Sequence, residues 1–126
     1  MSNYAPTRTE YGSSDTRWLP NMLKAETRGV TLDGDLFTTP GVIKSGTFIG
    51  LTTTDKLGGP YDNAASDGRQ TAVGILLNDV KVAAGGRYHE AIVVRADVKT
   101  AYLPDVDEGA ADTAGKADLK GITFDA

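Results

Sequence analysis

Apolar positions in this chain come in short bursts separated by glycine, proline and aspartate, the rhythm of strands joined by tight turns. The first burst is residues 30–32; Asp33-Gly34 behind it is a tight-turn signal, with residues 36–39 as a return strand before Pro40. Val42-Ile43 and Thr47-Phe48-Ile49 flank a predicted turn at Lys44-Ser45-Gly46. Residues 51–54 are β-branched and strand-like, and Gly58-Gly59-Pro60 closes them. A polar loop over residues 62–70 leads into a near-continuous apolar run at 71–82, which predicts a strand buried on both faces. Gly74 inside that run predicts a bulge or a close backbone approach. After a turn at Ala84-Gly85-Gly86, residues 91–98 form the second strong strand, with Val94, Ala96 and Val98 on one face.

The two ends read differently. Residues 105–120 are rich in alanine. Asp105, Asp107 and Glu108 suit a helix N-terminus, Lys116 and Lys120 its other end, and Gly121 its stop. Gly109 and Gly115 weaken that helix, so it should be short or irregular, with a last strand at 122–124. Residues 1–20 follow neither the helical nor the strand period, and Pro6, Gly12, Ser13, Ser14 and Pro20 punctuate them. Yet Tyr4, Tyr11, Trp18 and Leu19 are unusual for a plain disordered tail. They could fold back onto the body. The preferred reading is an extended arm whose aromatics anchor on another chain, for instance as a strand added to a sheet edge. The expected class is α+β, β-rich: a small β-barrel with one short C-terminal helix. Residues 1–30 would be the arm and 31–126 the core domain.

A chain of 126 residues fits one domain, and a domain of this size gains stability readily from a partner. The net charge of −4 disfavours a nucleic-acid partner. Residues 1–30 are near neutral and the remainder is acidic. The absence of cysteine removes disulfides, zinc–thiolate sites and thiol catalysis. Residues 1–15 lack the apolar run of a signal peptide, and no apolar stretch is long enough for a bilayer. The expectation is a soluble protein, made in the cytoplasm, with no membrane partner.

Candidate chemistry is sparse. His89, the only histidine, has no G-x-S-x-G nucleophile motif to serve, so a hydrogen-bonded surface role is expected. Asp33 and Asp35, or Asp62 with Asp67, invite a calcium reading. Ala64 at the third position, counting Asp62 as the first, and the missing closing glutamate argue against it. Side chains bonding their own turns are expected instead. Residues 109–117 fall short of a phosphate loop: five residues separate the glycines and alanine follows Lys116. No enzyme, metal or cofactor is expected.

One stretch is similar to a known family. Pro60-Tyr61-Asp62, Ala65-Ser66-Asp67-Gly68 and Thr71-Ala72-Val73-Gly74-Ile75-Leu76 resemble the lambda-type phage head decoration proteins, in which a polar loop with Asp-Gly leads into an Ala-Val-Gly-Ile-Leu strand. Residues 91–95 and the Gly121-Ile122 ending add to a resemblance covering about two-thirds of the chain. It implies a β-tulip-like core that forms a homotrimer and docks at three-fold and quasi-three-fold positions on the outside of an expanded capsid. It also implies an arm that orders on the major capsid protein, and a protein that braces the shell against packaged DNA without touching the DNA. The resemblance is silent over residues 1–30. Tyr4, Tyr11, Trp18 and Leu19 are therefore expected capsid contacts from their residue types alone. The alternatives are a trimeric tail or fibre module of the same phage origin and, further off, a small enzyme or sugar-binding domain.

Overall fold

The computed structural model describes residues 15–38 and 41–125. Its strands are β1 (Glu26–Asp33), β2 (Gly41–Ile43), β3 (Phe48–Leu51), β4 (Gly58–Pro60), β5 (Ala72–Leu76), β6 (Val80–Val82), β7 (Arg87–Lys99) and β8 (Ile122–Asp125), with one helix, α1 (Thr113–Asp118). Hydrogen bonds link β1-β4-β3-β5-β7, and β7 pairs back to β1, so these strands close into a small barrel. Closure is uneven. β1 runs antiparallel along β7 from Glu26↔Arg95 to Asp33↔Arg87. It meets β4 in parallel at Leu32↔Gly58. β8 extends β7 in parallel, and β2 with β6 forms a separate antiparallel pair.

The barrel wall is apolar on both faces. Leu32, Ile49, Leu76 and Ile92 fill its interior together with Phe37, Val80 and Val82. Their chain neighbours Phe48, Ile75 and Val93 face outward into a second core, under Trp18, Leu119 and Ile122. Neighbouring residues thus enter opposite cores, which is why these strands read as continuous apolar runs rather than alternating ones.

Two bulges set the details. In β3–β5 the register passes from Ile49↔Gly74 to Gly50↔Ala72, leaving Val73 as the extra residue. A Cβ on Gly74 would lie 2.6 Å from Ile92 Cδ1 and 3.0 Å from the Val93 carbonyl oxygen, so any larger residue would force Ile92 to shift. In β1–β7 the register passes from Glu26↔Arg95 to Thr27↔Val93, and Val94 is the extra residue. That bulge inverts the alternation. Val94 therefore packs on the barrel core, while Ala96 and Val98 pack on the outer one, not on the single face expected.

Other sequence expectations change for local reasons. The run at 71–82 is two strands in different sheets, β5 and β6, because the chain turns away at 77–79. Of the return strand expected at 36–39, Thr39 lies outside the described residues and 36–38 do not run back along β1: Gly34–Leu36 is a 3-10 turn, capped by Asp33 accepting from the Asp35 N–H. The strands flanking Lys44-Ser45-Gly46 pair with β6 and with β4 and β5, not with each other. Gly58–Pro60 is itself a strand. The acidic stretch 105–108 precedes the helix rather than starting it. Glu108 accepts from the Thr38 N–H and hydroxyl, and the Gly109 carbonyl accepts from Phe48 N at 2.8 Å, which ties this segment to β3. Asp112 is the cap, accepting from Gly115 N at 2.7 Å.

Lys56 is the non-glycine residue with a left-handed backbone among the described residues, at φ 59°. Such a conformation costs an L-residue about 1–2 kcal/mol, more than the chain-entropy penalty of glycine. Lys56→Gly is therefore expected to stabilise the fold by about 0.5–1 kcal/mol, read from the denaturation midpoint.

Candidate interaction surface

The chain enters the body through a peg. Trp18 is fully buried and Leu19 nearly so, both in the outer core. The Trp18 indole N–H donates to Ser45 Oγ at 3.0 Å, and that hydroxyl donates to the Leu77 carbonyl at 2.6 Å. Ser45 N donates to Asp79 Oδ1 at 2.7 Å, and Lys99 N donates to the Trp18 carbonyl at 2.8 Å. A buried indole needs such a partner, and this one is held from three directions. Trp18 and Leu19, expected as contacts for another chain, are thus occupied by the chain's own core. Tyr4 and Tyr11 lie outside the described residues. So do residues 1–14 of the expected arm as a whole; in the rest of it Trp18 and Leu19 are buried, residues 20–24 are exposed, and β1 begins at Glu26.

Around the peg the surface is partly apolar. The Arg17 guanidinium stacks 4.8 Å from the Tyr102 ring centroid and pairs with Asp15 at 2.9 Å. Hydrogen bonds from Arg17 hold the Asp15 carboxyl down to about 2, so this exposed pair is ionised at any working pH. Val42 and Tyr102 are 43% and 47% exposed and line one cavity of about 390 Å³ with Arg17, Leu103 and Pro104. Past the peg, Met22 is half exposed and Leu23 fully exposed.

The motif residues build the wall behind this surface. Ala72 and Ile75 lie in the outer core with Tyr61; Leu76 and Val73 pack on the barrel core beside Gly74. Asp62 accepts from Ala64 N at 2.9 Å and Asp67 from Arg69 N at 3.1 Å, each bonding its own turn. Gly68 sits at φ 116° between them and β3, where a Cβ would meet the Leu51 carbonyl at 2.5 Å. His89 is exposed and its Nδ1 lies 3.0 Å from Thr31 Oγ1. Sequence reading missed the polar anchors, buried Ser45 and the more open Asp79, Asp112 and Asp118, the last accepting from Ala72 N at 3.0 Å. Only Asp112 carried a usable signal, as an aspartate three residues before the glycine it caps.

Tyr61 gives a pH test of this packing. Its hydroxyl is pushed up to about 12, first by burial and then by its hydrogen bond to Asp112 at 2.9 Å. The fold therefore favours the neutral phenol. That contribution is complete below about pH 10 and is lost as the pH rises from about 10 towards 12. Unfolding midpoints measured across this window should fall for the natural chain and show a shallower fall in Tyr61→Phe.

What these features define is a structural module. Asp33, Asp62, Asp67 and Asp112 hold turns and caps, and its exposed large apolar side chains include Val42 and Tyr102, beside the Trp18 peg. A family model described as bacteriophage lambda head decoration protein D matches residues 15–123. The chain belongs to that family, and with it to the structural proteins of the phage head rather than to an enzyme family. The match reaches well past residues 46–103, where the motif resemblance is concentrated, and takes in the Trp18 peg. Comparison with individually curated proteins returned no match. Among the described residues no helix is long and apolar enough to cross a membrane.

Proposed function

We propose that this chain binds as a homotrimer to the outer surface of an expanded bacteriophage head, at three-fold and quasi-three-fold positions, and stabilises the shell against the pressure of packaged DNA. The family match over residues 15–123 carries this reading. Its partner is the major capsid protein, contacted through residues 1–14 with Tyr4 and Tyr11 as anchors. The Trp18 peg anchors the chain a few residues after that segment, and Val42 and Tyr102 offer apolar surface beside the peg. A trimer presents three such segments together, so once one has docked the others bind at high effective concentration. Each loses ordering entropy on docking, which limits the affinity of any one alone.

The stabilising role is tested by heating DNA-filled heads that lack the protein, with and without saturating amounts of it, and recording the temperature at which DNA is released. The proposal predicts a higher release temperature with the protein bound. An unchanged release temperature on heads shown to be saturated would contradict it.

A further inference from the structure

Four of the five arginines among the described residues are paired with a carboxylate: Arg17 with Asp15, Arg69 with Asp67, Arg87 with Asp33 and Arg95 with Glu26. Arg28 is not. It lines a cleft of about 490 Å³ together with Lys56, His89, Thr31 and Leu51. Lys56 is held there by a strained turn, in which its N–H donates to the Thr52 carbonyl at 3.0 Å and its φ is 59°. Backbone strain persists where the surroundings impose it, and it concentrates at functional positions. One wall of the cleft is an open sheet edge. Among the described residues β1 has β7 on one side and meets β4 only at Leu32↔Gly58, so peptide groups before Leu32 face the cleft without a strand partner. Two side-chain cations beside open peptide groups make a place for carboxylates, in a chain whose net charge is −4.

The matching feature lies elsewhere on the same chain. Asp105 and Asp107 are exposed in the segment before α1 and have no ion-pair partner among the described residues, while their neighbour Glu108 is engaged by Thr38. They line a different cavity, whose one cation, Lys44, is paired with neither. The two features share no residue.

We propose that the Arg28–Lys56 cleft receives the Asp105–Asp107 segment of a second copy, so that copies of this chain associate head to tail. This rests on the homotrimer proposed above and names the contact that builds it. A contact between two different patches is heterologous, and repeated by rotation it closes into a ring rather than a two-fold dimer. It also turns the chain's excess of acid from a source of repulsion between copies into the attraction that orders them.

The test is sedimentation equilibrium of the full chain, with circular dichroism to confirm folding. The oligomer should weaken about tenfold or more between low and molar salt, because exposed pairs are screened. Arg28→Glu with Lys56→Glu should sediment as a folded monomer, as should Asp105→Lys with Asp107→Lys. A chain carrying all four reversals should associate again, since each patch then meets its new opposite. A natural chain that is monomeric at every salt concentration would overturn the proposal. So would an oligomer indifferent to either reversed pair, or a folded fourfold variant that stays monomeric. Head binding is measured separately on the same samples: an oligomer that ignores heads sinks the decoration reading and leaves this contact standing, and a monomer that decorates heads does the reverse.

Discussion

Replacing Trp18 with alanine is expected to destabilise the folded chain by about 3–5 kcal/mol, the cost of removing a fully buried aromatic side chain from a packed core. The indole is sealed under the outer core and bonded to Ser45, and its backbone carbonyl receives Lys99 N. Alanine would leave a cavity in the outer core, whose members Phe48, Val98 and Leu119 come from distant parts of the chain and cannot easily close on one another. Trp18→Phe should cost less, since most of the volume is kept and Ser45 still donates to the Leu77 carbonyl. Trp18 is the only tryptophan, so unfolding of these variants is followed by circular dichroism rather than by its fluorescence. A loss below about 1 kcal/mol for Trp18→Ala would mean that the peg is not part of the core.

Removing residues 1–14 is expected to do the opposite: leave the unfolding midpoint unchanged and weaken head binding by about a hundredfold or more, because a trimer loses three linked contacts at once. The cut has to fall before Asp15. A deletion reaching residue 20 would take Trp18 and Leu19 with it, and loss of binding would then report an unfolded body. Tyr4→Ala with Tyr11→Ala in the full chain should give an intermediate loss, measured by co-sedimentation with heads. Full binding by the shortened chain would move the capsid contact onto the body, to the surface around Val42 and Tyr102.

Much of the architecture was legible in the chain itself, because its strong signals are local. The apolar run that begins at residue 71, the Gly74 irregularity, the turns at Asp62 and Asp67 and the closing strand expected at 122–124 all depend on neighbours in sequence. The errors share a cause. Which strand pairs with which is decided by the whole barrel: residues 36–39 read locally as a return strand for β1, whose long partner is β7, more than fifty residues on. The bulge at Val94 changes which residues face inward and leaves no mark in composition. Trp18 reads as an anchor for another chain because an aromatic in a polar stretch looks the same whether its pocket is foreign or its own. Arg28 and Lys56, which share a cleft, lie far apart in sequence and carry no motif.

The claim that this chain decorates a phage head is tested most directly by imaging. Purified full-length protein is mixed with expanded and with unexpanded empty heads of its phage, and both are reconstructed by electron cryomicroscopy. The account predicts three-lobed density on the outer surface at three-fold and quasi-three-fold positions of the expanded heads only, with a segment from each lobe running into the shell. Bare expanded heads at saturating protein, or density that survives on unexpanded heads, would contradict it.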